Sequence, residues 1–150
     1  MTLSSIRTWA VASLLFVVPT AAISAETHIV EMLNKHPDNP KIRQVFYPPV
    51  IKVEVGDTVR FVSSDKGHNS ASIDGMIPEG ADEWKSKLGR EFEIKITQDG
   101  TYGFVCTPHY GLGMVGLILA GDYSVNLDAA KEVKHRGKAK KVFKELFETL

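Results

Sequence analysis

A single cysteine in 150 residues means that no disulfide can form within this chain. Nor is there an excess of either charge, since Lys and Arg total 18 and Asp and Glu total 18. That balance excludes the broad basic surface that non-specific nucleic-acid binding requires and leaves only local patches to act. No apolar run reaches the about 20 residues of a membrane-spanning helix. Internal repeats and low-complexity tracts are also missing, which excludes solenoids and propellers. What remains is an ordinary globular chain that must hold itself together by its core.

The N-terminus reads as a secretory signal over residues 1–25. Arg7 supplies positive charge, Ala10 to Val18 is apolar, and Ala25 offers a small residue for cleavage. Ile23 is bulky for its place three residues before that cut. Residues 26–150 then form a single domain of 125 residues with 17 basic and 18 acidic side chains. A chain of that length buries roughly two-thirds of the surface its unfolded form exposes, enough for a core without disulfides. An exported protein meets oxidising surroundings, so an accessible lone thiol is a liability there. Cys106 must be buried and inert, or occupied by a metal.

Period-2 alternation marks most of the elements. Strands are expected over residues 27–33, 50–55, 58–62, 91–97, 101–105 and 114–120, with turn signals at Gly56-Asp57 and Asp99-Gly100. Short strands between Gly, Pro and Asp turns predict an all-β fold, an antiparallel sandwich or barrel. Residues 65–89 break the rhythm and are expected to be irregular, with one helical turn near residues 82–88. Asn126 is placed to cap a helix over residues 127–135. After Gly137, Val142, Phe143, Leu146, Phe147 and Leu150 recur at helical spacing. Charge of both signs on its polar face favours packing on the sandwich over lying on a membrane.

The chemistry gathers in the run Cys106-Thr107-Pro108-His109-Tyr110-Gly111-Leu112-Gly113-Met114. It falls between two expected strand ends, so a thiolate, an imidazole and a thioether share one rim. His68, in Gly67-His68-Asn69 at the end of another strand, supplies a second imidazole. One thiolate, two imidazoles and a weak thioether form the donor set of an electron-transfer copper site. Zinc fits less well, because a thioether is a poor zinc ligand. A Cys/His nucleophile would need a base and an oxyanion site, and the sequence offers no motif for either. Asn69 is expected to donate its backbone amide to the Cys106 sulfur and to tie the two ligand loops together. Pro108, lacking an amide hydrogen, cannot supply another such donor. His28, His36 and His135 have no partner spacing and read as surface residues.

These motifs, together with Met32-Leu33-Asn34-Lys35, Gly75-Met76-Ile77-Pro78 and Lys85-Ser86-Lys87, resemble the pseudoazurins, blue copper proteins of the bacterial periplasm. The resemblance runs from about residue 29 to residue 128. It implies a cupredoxin-like Greek-key β-sandwich with two C-terminal α-helices, and one copper ion held by His68, Cys106, His109 and Met114. It further implies a monomeric, non-enzymatic periplasmic carrier of single electrons. Partners would be copper nitrite reductase and cytochrome c, docked transiently at the edge of His109. The implied rim is Met32, Pro78 and Leu112, with Lys35, Lys66, Lys85 and Lys87 around it. Two departures stand out: the segment from His36 to Pro49, and Leu112, where relatives often carry Met. The alternative reading, from another class, is a periplasmic copper-binding or delivery protein.

Overall fold

Every segment with apolar alternation becomes a strand in the computed structural model, which describes residues 24–150. The expected signal segment falls almost wholly outside the described residues. One sheet has the order β2 (Arg43–Tyr47), β1 (Thr27–Lys35), β4 (Thr58–Val62), β6 (Phe92–Lys95). The other runs β3 (Val50–Val53), β8 (Val115–Ala120), β7 (Gly100–Val105), β5 (Ala71–Ser72). The sandwich is therefore eight-stranded, but it is not wholly antiparallel. β1 pairs with β4, and β3 with β8, in parallel. The reason lies in the turns. Gly56-Asp57 and Asp99-Gly100 look like hairpin signals, yet each carries the chain from one sheet to the other.

Alternating residues meet between the sheets. Phe46, Phe61 and Phe104 form a buried aromatic knot, with Phe104 centroids 4.8 Å from Phe46 and 5.1 Å from Phe61. Edge-to-face packing of this kind adds about 0.5–1.5 kcal/mol per pair beyond area burial. Phe46 belongs to β2, a strand the alternation left hidden because prolines follow it immediately. The expected helical turn near residues 82–88 is absent, and the chain there is extended. Trp84 explains why: its backbone bonds Ser72, and its indole N–H donates to Ser70 Oγ at 2.9 Å. A buried indole needs such a partner.

Two helices, α1 (Leu127–Glu132) and α2 (Gly137–Glu148), close the outer face of the second sheet. Ala130, Ala139 and Phe143 pack with Val115, Leu117 and Leu119. β8 is thus covered on both faces, which is why its sequence is an unbroken apolar run. Asn126 stands at the α1 N-cap position, but its side chain does not cap. It bonds Thr101 instead, accepting from its N–H at 2.7 Å and donating to its carbonyl at 2.9 Å. Among the described residues, no helix is long and apolar enough to cross a membrane.

Candidate metal centre

The C-terminal end of β7 delivers Cys106, and the chain then tightens into a 3-10 helix over Thr107–Leu112. Gly113, at φ +89°, turns it back so that Met114 leads into β8. Pro108 suits the first turn of that helix, where its missing N–H costs nothing. Backbone bonds close the loop, with Cys106 N–H donating to Met114 carbonyl at 3.0 Å and Met114 N–H to His109 carbonyl at 3.2 Å. His68 arrives from the loop after β4.

Three donor atoms converge. His68 Nδ1 and His109 Nδ1 lie 3.1 Å apart, and the Cys106 sulfur is 3.7 Å from the first and 3.4 Å from the second. Inside a triangle with those sides is a point about 2.0 Å from every corner, within reach of ordinary metal–imidazole and metal–thiolate bonds. Met114 is fully buried in the same cluster as Cys106, and its backbone closes the ligand loop. His68, Cys106, His109 and Met114 are arranged as a copper site.

Burial acts on the two kinds of donor in opposite senses. Burial pushes the Cys106 thiol pKa up, partly offset by backbone hydrogen bonds from Asn69 and His109 to the sulfur. Burial also lowers the pKa of His68, reinforced by the neighbouring His109. A neutral imidazole is the form that binds metal. Its tautomer is set from behind, because His68 Nε2 donates to Asn34 Oδ1 at 3.1 Å and thereby leaves Nδ1 free for the metal. Asn34 was not legible as a site residue, since it lies 34 positions from His68 and only the β1–β4 pairing brings it close.

The Asn69 side chain bonds both to the ligand loop and to the segment around Ser86. Its Oδ1 accepts from the Thr107 N–H at 2.8 Å and hydroxyl at 3.1 Å, while its Nδ2 donates to the Ser86 carbonyl at 3.2 Å. Ser86 Oγ in turn accepts from Ser70 N–H at 3.0 Å. Lys85 and Lys87, exposed on either side of Ser86, are thereby held at the metal end. Lys35 follows Asn34, Lys66 precedes His68 by two residues, and both are exposed. Leu112 is 52% exposed on the ligand loop.

Two expected rim residues do not belong there. Met32 has no exposed surface, because its place in β1 points it between the sheets opposite Phe46. Pro78 is buried against Gly100, at the far end of β7 from Cys106. Two histidines read as surface residues also have other duties. His28 Nε2 lies 2.8 Å from Asp57 Oδ2. The His135 ring stacks on Phe143 at 4.1 Å between centroids, and its Nδ1 lies 2.7 Å from the Tyr110 hydroxyl.

Comparison with known proteins agrees with this geometry. Residues 31–121 match the family described as copper binding proteins, plastocyanin/azurin family. The chain is 40% identical to pseudoazurin of Methylorubrum extorquens, over 87% of this chain and 86% of that one. It is 45% identical to pseudoazurin of Paracoccus pantotrophus, over 77% and 78% respectively. The crystal structure of native pseudoazurin from Hyphomicrobium denitrificans superposes with a TM-score of 0.77 at 42% identity, covering 83% of this chain and 98% of that chain. With the donor set, the sandwich and these relatives in agreement, the chain belongs to the pseudoazurins, within the plastocyanin/azurin family of copper-binding proteins.

Proposed function

We propose that this protein is a periplasmic one-electron carrier, monomeric and without enzymatic turnover, that serves redox enzymes such as copper nitrite reductase and is reduced by cytochrome c. The observation that carries this reading is the unequal burial of two otherwise equivalent ligands. His68 is fully buried, whereas His109 keeps part of its surface in solvent. Bound copper supplies the Cu(I)/Cu(II) couple.

The residues do the rest by staying still. His68 is held by Asn34, the ligand loop by its own backbone bonds, and the two loops are joined through Asn69. Four side-chain donors leave no position for a substrate, unlike a catalytic centre with an open site. The exposed edge of His109, beside Leu112, is the port through which a partner's orbital is reached. Lys35, Lys66, Lys85 and Lys87 raise the encounter rate with acidic partners. Asn69 and Pro108 set how much hydrogen bonding the thiolate receives, and so where the potential lies. Removal of residues 1–25 on export completes the mature carrier.

Stopped-flow mixing of the reduced protein with copper nitrite reductase tests the proposal. Fast transfer that slows as salt is raised is expected, since screening weakens steering between exposed charges. Transfer that is absent with both nitrite reductase and cytochrome c, or release of copper to an acceptor in place of electron transfer, would favour a delivery role.

A further inference from the structure

Beside the ligand loop lies a cleft of about 640 Å³ that takes no part in holding the donor atoms, although Leu112 of that loop borders it. The start of β2 forms one wall and the outer flank of α2 the other. Leu112 and Ile42 face it as two large apolar side chains left 52% and 48% exposed. Lys41, Arg43, Lys138 and Lys141 surround them, against the single carboxylate of Glu145. That carboxylate is already engaged by Lys141 at 3.6 Å. Three cations therefore have no acidic partner among the cleft's own residues.

The backbone beneath this wall is held in an uncommon conformation. Gln44 sits at φ +58°, a region that non-glycine residues visit rarely, and its Oε1 is buried without a hydrogen-bond partner. Such costs persist where the surrounding structure overrides them, and they cluster at functional surfaces. Here the kink follows directly on Ile42 and Arg43, the pair that faces the cleft.

We infer that this cleft is a second wing of the docking surface, which receives an acidic redox protein by placing one of its apolar side chains between Leu112 and Ile42 and its carboxylates against Arg43, Lys41 and Lys138. The inference rests on the electron-carrier reading and adds to it a direction of approach. Two exposed apolar side chains supply the short-range contact, and the unpaired cations supply both attraction and choice of partner. Leu112 is shared by both surfaces, so a partner seated in the cleft also covers the ligand loop that carries His109. The segment from His36 to Pro49 thus becomes the part of the chain that selects the partner.

The test uses copper-loaded full-length mature protein, with copper nitrite reductase as the acidic probe and hexacyanoferrate(III) as a small oxidant that needs no docking. The double variant R43E/K138E is expected to slow transfer to the reductase about tenfold at low salt and to flatten its salt dependence. Ile42→Ser is expected to slow it without changing that salt dependence. Oxidation by hexacyanoferrate(III), the visible spectrum and the midpoint potential should change little in Ile42→Ser, so that folding and the metal site are controlled. If both variants match the parent with the reductase while Lys35→Glu or Lys66→Glu slows it, the cleft proposal is overturned and the carrier reading stands. If the parent transfers no electron to the reductase or to cytochrome c, it is the carrier reading that fails.

Discussion

His68 and His109 are one side chain put to two uses, and burial separates them. The buried one is held from behind, and the one that keeps part of its surface in solvent is the proposed port for the electron. What keeps His68 in place is Asn34, whose amide oxygen fixes the imidazole tautomer from behind. Replacing Asn34 by Leu removes that acceptor while keeping similar bulk. Copper affinity measured by competition with a chelator should fall about 10- to 100-fold, as for other residues that orient metal-bound histidines. At Pro108 the missing amide is the point. Pro108→Ala restores an N–H close to the sulfur, draws charge from the thiolate and favours the reduced ion. If that bond favours the reduced state by about 1.4 kcal/mol, voltammetry should show the midpoint raised by roughly 60 mV. An unchanged or lowered midpoint would contradict the account of the thiolate. The donor residues were readable because cysteine, histidine and methionine in one loop have few other joint uses. Asn34 was not, since an asparagine at a strand end has many.

Among the elements, the ligand loop and α2 depend on one another. Gly137, at φ +57°, opens α2 and lies so close to the loop that a Cβ there would sit 2.6 Å from the Gly111 carbonyl oxygen. A Cβ on Gly113 would likewise meet Val142 at 2.9 Å. Arg136 lies over the Tyr110 ring, 5.5 Å from its centroid, and His135 meets the Tyr110 hydroxyl. The helix is therefore a brace for the loop rather than an appendage. Gly137→Ala combines backbone strain with a clash against rigid backbone, and should cost about 1–3 kcal/mol in urea unfolding. It should also move the midpoint potential, which a purely remote destabilisation would leave alone. The existence of α2 followed from helical spacing in the sequence. Its contact with the loop did not, because glycine gives no sign of what approaches it. β2 was missed for a related reason: five residues ending at two prolines carry too little periodicity to declare a strand. Met32 and Pro78 show the opposite error, where a family resemblance assigned exposure that strand direction and packing deny.

At the scale of the whole molecule, the two sheets are joined at the end remote from the metal by Asp57. Its carboxylate accepts from Glu26 N–H at 2.8 Å and Glu54 N–H at 2.9 Å, and meets His28 at 2.8 Å. Those bonds hold its pKa down to about 2. A carboxylate depressed in this way contributes stability above its unfolded pKa of about 3.9, and loses it as pH falls toward the folded value. Thermal midpoints should therefore drop between about pH 4 and pH 2. Asp57→Asn should lower the midpoint at neutral pH and flatten that acid limb. The sequence showed Gly56-Asp57 as a turn. It could not show that the turn passes between sheets, because turn chemistry is local and sheet membership is not.

All of these scales converge on the donor triangle, and its chemistry can be read directly by eye and spectrometer. Mature protein loaded with Cu(II) should show the intense visible thiolate-to-copper charge-transfer band of a blue site. One-electron reduction should bleach it reversibly, and Cys106→Ser should abolish it. A colourless copper-loaded protein, tight binding of zinc in preference to copper, or a band that survives Cys106→Ser would contradict the account.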